Sequence, residues 1–289
     1  MEIGLNLPVT NPVVTPALMG EIARMAEALG FAELYLGEHV VLFDAPRDDY
    51  PSSDTGDAFF AAAAPLPDPL VTQAYLAAVT QRIRLATGVL LLPQRNPAYT
   101  AKHVATLDWL SGGRFDLAIG VGWSEEEFTA CDVPWAERGA RADDYIGVMR
   151  TLWADEVSSF QGKHYNLPPC RQYPKPVQRP YPPLWIGGWS RSALSRAARL
   201  GDGWYGFDLK VDAVAAYVEQ LRGLMAEHGR APGTVKMLCG GYQVLPANRA
   251  ELGDYRDAGI EQFVFSLTEP EPAKMLDQLR FYAAEFVTA

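Results

Sequence analysis

His39 follows directly on a short apolar strand, Leu34-Tyr35-Leu36, with Glu38 beside it. An imidazole titrates near neutral pH. At the rim of a sheet or barrel it can take a proton from a substrate hydroxyl or return one to a carbonyl. The same position also suits a structural histidine bonded to a loop carbonyl. A second group of residues lies between Ile83 and Trp123, where two apolar strands run into glycine. The first passes through Thr87-Gly88-Val89 to Pro93-Gln94-Arg95-Asn96-Pro97, and the second closes on Gly120-Val121-Gly122-Trp123. Glycine in a buried strand gives up packing and marks a bulge or the close approach of another group. At the carboxyl edge of parallel strands, that group can be a flat cofactor lying against bare backbone.

Glu125, Glu126 and Glu127 come just after those glycines. They read either as first-turn helix acids favoured by the helix dipole or as candidate proton donors, with the register between them open. Gly187-Gly188-Trp189-Ser190 places glycines at a strand end and a hydroxyl at a helix start, which presents free N–H groups to a phosphate. Arg191 and Arg196 can add charge there. A tight turn with a serine cap is the plainer reading of the same residues. His103 lies within a helix, His164 in a proline-rich stretch and His228 at the end of an exposed helix, so all three read as structural or solvated.

The elements that must hold these residues alternate between strand and helix. A strand over residues 2–7 precedes a helix over 16–29, in which Leu18, Ile22, Met25, Ala26 and Leu29 keep helical spacing and Gly30 ends the run. After strand 34–36 comes a long acidic, Pro- and Ala-rich loop, 43–69. It follows a strand, so it belongs on the catalytic face, where such length reads as a lid or substrate wall or as plain disorder, and Phe59-Phe60 with Ala61 to Ala64 would suit an apolar substrate. A helix to 79, strand 83–92, helix 98–110, strand 115–121 and helix 137–153 follow. The excursion 156–183 emerges on the opposite face and reads as structural or dimer-forming. Strand 184–186, a helix capped by Ser190, strand 204–207, helix 211–228, strand 235–245, helix 252–258, strand 262–267 and helix 272–286 complete the chain. Met19-Ile22-Met25-Ala26 and Val104-Leu107-Leu110 read as core stripes. Eight strands alternating with helices favour one closed (β/α)8 barrel, a TIM barrel with insertions, over residues 1–289.

The formal charge of −10 argues against nucleic acid or an anionic membrane as partner, since both need a basic surface. An anionic ligand must be held locally, by helix termini and a few arginines. Cys131, Cys170 and Cys239 have no paired spacing, so neither a disulfide framework nor a zinc site is indicated, in keeping with a reducing cytoplasm. The amino-terminal residues show no targeting pattern, and no stretch is apolar enough to span a bilayer.

Taken together, Arg84 to Val89, Arg95-Asn96-Pro97, Lys102 to Asp108 leading into Ser111-Gly112-Gly113-Arg114-Phe115, and Gly120 to Trp123 resemble the luciferase-like monooxygenase family. So do Tyr173 to Gln178, Pro182-Pro183, Ile186-Gly187-Gly188 and Gly201 to Trp204, which extend the likeness from residue 3 to about residue 207. The resemblance implies a barrel that binds reduced flavin (FMN) or the deazaflavin coenzyme F420 at its carboxyl end. Glu38-His39 is similar to the acid and histidine of deazaflavin-dependent members, where the histidine sits at the reacting ring. By the same likeness, Gly88-Val89 is the expected site of a non-prolyl cis peptide pressed against the ring, and Glu125 is the expected second proton donor. The implied cofactor contacts are Glu38, Thr87, Gly88, Val89, Gly120, Gly122, Trp123, Gly187, Gly188, Ser190 and Arg191. The expected activity is hydride transfer between F420 and an alcohol, carbonyl or activated alkene. An FMN-dependent monooxygenase supplied by a separate reductase is the alternative, and a non-catalytic flavin- or metabolite-binding barrel is the rival from another class. A homodimer is expected from the resemblance alone.

Overall fold

Most of the short apolar strands feed a helix whose first turn is closed by a side chain from just outside it. Thr15, Asp68, Asn96, Ser124, Ser190 and Asn248 each accept a backbone N–H at a helix start, and Pro16, Pro69 and Pro97 fill first helical positions where no donor is needed. A computed structural model describes residues 1–46, 50 and 60–287. In chain order its strands are β1 (Glu2–Asn6), β2 (Glu33–Leu36), β3 (Arg84–Thr87), β4 (Leu90–Leu91), β5 (Phe115–Gly120), β6 (Ser158–Gln161), β7 (Asn166–Cys170), β8 (Leu184–Gly187), β9 (Gly203–Phe207), β10 (Lys236–Gly240) and β11 (Gln262–Ser266). Its helices are α1 (Pro16–Ala28), α2 (Pro69–Val79), α3 (Pro97–Ser111), α4 (Glu125–Ala130), α5 (Arg138–Ala154), α6 (Arg191–Leu200), α7 (Val211–Glu227), α8 (Arg249–Asp257) and α9 (Pro272–Tyr282).

The parallel strands run in the order β3-β2-β1-β11-β10-β9-β8-β5, and the pairing of Leu85 with Phe115 and Ala86 with Asp116 closes the ring. This is the expected eight-stranded barrel. Side chains alternate across its wall. Leu34 and Leu36 face the helices, while Tyr35 fills the lumen with Ala86, Ala118, Trp185, Tyr205, Leu238 and Val264. Small residues on β3 and β5 make room for the large rings opposite. Tyr35 stacks on Tyr205 at 5.5 Å between centroids.

The amino-terminal end of the lumen is sealed by charge. Glu33 accepts from the Tyr35 hydroxyl at 2.6 Å and from Gln262 Nε2 at 3.0 Å, and Arg84 pairs with Asp116. Gln178, from the excursion after α5, reaches Arg84, Asp108 and the Phe115 carbonyl, which places that excursion on this end. The excursion holds the antiparallel pair β6–β7.

Three expectations need correction. The third barrel strand is not continuous over 83–92, because the chain turns off after Thr87 and resumes as β4. The seventh is shorter than 235–245: the Gly241 N–H still donates to the Val264 carbonyl at 3.1 Å, but beyond it Asp208 Oδ1 gathers the N–H groups of Tyr242, Gln243 and Val244. Leu110 lies on the outer face of α3, 56% exposed, rather than in a core stripe with Val104 and Leu107.

Candidate functional site

Beyond β2 the chain runs Gly37-Glu38-His39, and the two charged residues turn to different tasks. His39 Nδ1 lies 3.1 Å from Glu127 Oε2, and the other oxygen of Glu127 accepts the Val40 N–H at 2.6 Å. Glu127 is buried and sits in the first turn of α4, where its own N–H donates to the capping hydroxyl of Ser124 at 3.3 Å. One carboxylate therefore fixes both the ring and the backbone that carries it. A neutral imidazole held this way keeps its proton on Nδ1 and leaves Nε2 as acceptor. No described residue bonds Nε2. Trp123 meets the imidazole edge-on at 5.7 Å, and Phe60 lies tilted to it at 5.5 Å.

Glu38 is buried and fully engaged. It accepts from the Leu91 N–H at 2.6 Å and from Arg95 Nε at 2.7 Å, and the Arg95 guanidinium continues to Asp68, the cap of α2. Burial drives its carboxyl above the ordinary range, against the pull of Arg95. The network ties the ends of β2 and β4 to the start of α2. Thr87 is engaged too: its hydroxyl donates to the Ala118 carbonyl at 2.6 Å and accepts the Ala118 N–H at 2.9 Å, so a side chain continues the β3–β5 ladder where the backbone departs.

The peptide Gly88–Val89 is cis, as expected. It sends the Val89 side chain between the ends of β5 and β8. Its methyls lie 2.7 Å from where a Cβ on Gly120 would stand and 2.8 Å from that of Gly187. Those two glycines are therefore required by a neighbour within the chain, whatever else rests on them. Gly188 directs its carbonyl to Trp204 Nε1 at 2.7 Å, and Ser190 Oγ caps the Ala193 N–H at 3.2 Å. The N–H groups of Arg191 and Ser192 are left without intrahelical partners. Arg191 is exposed beside them, whereas Arg196 turns away to Asp143 and the Gly139 carbonyl.

Sequence reading thus brought His39, Val89, Gly120, Gly187 and Trp123 to one end of the barrel. It gave Glu125 the place that Glu127 holds; Glu125 is on the exposed side of α4. A signal was available, since Ser124 as a helix cap puts Glu127 at the third helical position, the spacing of a capping box. Gln94 gave no signal at all. It is 8% exposed, and neither its Oε1 nor its Nε2 finds a partner among the described residues. Such a buried group costs about 1–3 kcal/mol when left unpaired. Phe59 and the middle of the 43–69 loop lie outside the described residues.

Residues 1–286 match the family model of the luciferase-like monooxygenases. The chain belongs to that family. An uncharacterised protein of Mycobacterium tuberculosis is 32% identical over 278 residues, covering 93% of each chain. An FMNH2-dependent dimethylsulfone monooxygenase of Pseudomonas putida is 34% identical over 159 residues, 54% of this chain and 44% of that one. The solved structure of an F420-dependent secondary alcohol dehydrogenase, holding an F420–acetone adduct, superposes with a TM-score of 0.78 at 17% identity, covering 99% and 98% of the two chains. That similarity shows the shared barrel. The Pseudomonas putida relative of this luciferase-like chain is named for FMNH2, and the structural neighbour for F420. Among its described residues, no helix is long and apolar enough to cross a membrane.

Proposed function

We propose that this luciferase-like barrel moves a hydride between coenzyme F420 and a small alcohol, carbonyl or activated alkene. In this reading His39 carries the proton and Glu127 positions it. The observation that carries the reading is the two-point hold of Glu127 on His39 and Val40. It presents Nε2, beside Trp123, with no protein partner among the described residues. The fit to a flat cofactor with an anionic tail rests on this chain's own features. Val89 stands out between Gly120 and Gly187, and the first turn of α6 keeps two N–H groups and the Arg191 cation for a phosphate. Local anchoring of this kind suits an acidic protein.

When bound, a deazaflavin supplies or takes up the hydride. His39 Nε2 takes the hydroxyl proton as an alcohol becomes a carbonyl and returns it in the opposite direction. Glu127 keeps the other ring nitrogen protonated and stabilises the imidazolium while it lasts. Glu38 and Thr87 act one step back, holding the strand ends that carry His39 and Val89. Glu125 lies on the exposed side of α4, and in this reading its expected role falls to the His39–Glu127 pair.

A second reading, an FMN-dependent monooxygenase supplied by a separate reductase, draws support from the Pseudomonas putida relative. A barrel that only binds has no need of a held proton carrier. Separate fluorescence titrations with F420 and FMN decide between the first two. Micromolar F420 binding with FMN far weaker supports the hydride-transfer reading, and the reverse order overturns it. The expected homodimer finds its support on α2 and α3. There Val71, Tyr99, Trp109 and Leu110 are all more than half exposed, and the two helices lie side by side.

A further inference from the structure

Gln94 ends the 3-10 turn Leu92–Gln94 that follows β4, and the backbone on both sides of it is pinned. The Leu91 N–H is held by Glu38, the Arg95 N–H by the Leu92 carbonyl at 3.1 Å, and Asn96 caps α3. Only the side chain is uncommitted. Other buried glutamines use their NH2 groups: Gln73 donates to the Leu34 and Ala86 carbonyls, and Gln262 donates to Glu33. Gln94 does neither, although it is more than nine-tenths buried. Its Nε2 lies 3.6 Å from where a Cβ on Gly122 would stand, and Phe128 fills the rest of that space at 2.7 Å. Gly122 has φ +78°, so this turn requires glycine on two counts, conformation and lack of room. The amide thus lies against the Gly120-to-Trp123 turn, whose Trp123 ring touches His39.

A buried amide with both ends unpaired is rare and calls for a partner that arrives from outside. Because it makes no hydrogen bond in this state, turning it about its side-chain torsions breaks none. A carboxamide offers a donor and an acceptor side by side, which is the complement of an adjacent N–H and C=O. Flavins and deazaflavins share such an edge in their imide ring. We propose that Gln94 turns into the mouth and reads that edge, Oε1 accepting the imide N–H and Nε2 donating to the neighbouring carbonyl. The assignment rests on the flavin or deazaflavin reading above and holds for either cofactor.

The test uses the wild-type protein, Gln94→Met and Gln94→Leu, titrated with F420, with FMN, and with an analogue of the tighter binder methylated at its imide nitrogen. Both variants are expected to lose tenfold or more in affinity for the parent cofactor. The methylated analogue is expected to bind wild type and variants alike, within about twofold. Ligand-free Tm should hold or rise in both, because replacing an unpaired buried amide by an apolar chain removes no hydrogen bond. Parent-cofactor affinity within twofold of wild type in the variants would overturn the assignment. So would a methyl analogue that still discriminates between them. A wild-type protein that binds neither F420 nor FMN would overturn the cofactor reading, and this inference with it.

Discussion

Both ends of the barrel bury carboxylates, yet they use them in opposite ways. At the amino-terminal floor, Glu33, Asp116, Arg84, Gln178 and Gln262 bond to one another, and the lumen is closed. At the carboxyl-terminal mouth, Glu38 is closed off in the same manner by Arg95, but Glu127 is turned onto His39, whose second nitrogen has no described partner. The mouth also keeps an amide, Gln94, with no partner among the described residues. Burial of a charged residue is therefore no guide to its role. What separates floor from mouth is what the protein's own bonds leave over: one carboxylate oxygen, Glu33 Oε1, at the floor, and at the mouth an imidazole nitrogen and both ends of an amide without a partner among the described residues.

Substitutions at the two ends should separate turnover from stability. The largest effect belongs to His39→Ala, expected to lower turnover by about 10²–10⁴-fold with cofactor binding kept. Steady-state rates beside a fluorescence titration check it, and unchanged turnover removes His39 from the mechanism. Glu38→Ala leaves Arg95 without its buried partner and should cost about 3 kcal/mol in denaturant unfolding. A variant as stable as wild type would show that the mouth is not held together by this pair. Gly187→Ala places a methyl against Val89 and should destabilise by about 1–3 kcal/mol. Adding Val89→Ala should recover most of that loss, and strictly additive losses would break the packing argument.

The floor gives a pH signature instead. Burial, and after it the adjoining Asp116 carboxylate, drives the Glu33 carboxyl well above its ordinary range. The folded chain then keeps this proton to higher pH than the unfolded chain, which loses it near about 4.3. Protons bound are more numerous in the folded state across that window, so stability falls as pH rises through it. Glu33→Gln has no proton to lose. Its stability relative to wild type should climb as pH is raised from 4 towards neutrality, with turnover little changed. A constant difference across pH would contradict this. Smallest of all, Trp109→Glu on exposed α3 should alter monomer stability by no more than about 0.5 kcal/mol while shifting mass in light scattering if the pair α2–α3 joins two copies.

The barrel was legible because alternating apolar strands and 3.6-period helices leave strong local patterns, and glycines such as Gly30 and Gly112 mark where they stop. The floor was not, because Glu33 and Asp116 stand in strands that otherwise read as wholly apolar, and only closure of the ring brings them together. His39 and the Gly88–Val89 bond followed from motif and likeness. The sequence favoured Glu125 but left the register among Glu125, Glu126 and Glu127 open, although the Ser124 cap puts Glu127 third in its helix. Thr87 and Arg196 looked available in one dimension and are occupied in three, by Ala118 and Asp143. Gln94 has no pattern to betray it, since a lack of partners is a property of packing alone.

A crystal structure with F420 or FMN bound tests the central claim most directly. We expect the ring to lie against Val89 with His39 Nε2 facing its open side and Glu127 still on Nδ1. A ring bound elsewhere on the protein, or His39 turned out of the mouth in the complex, would contradict it.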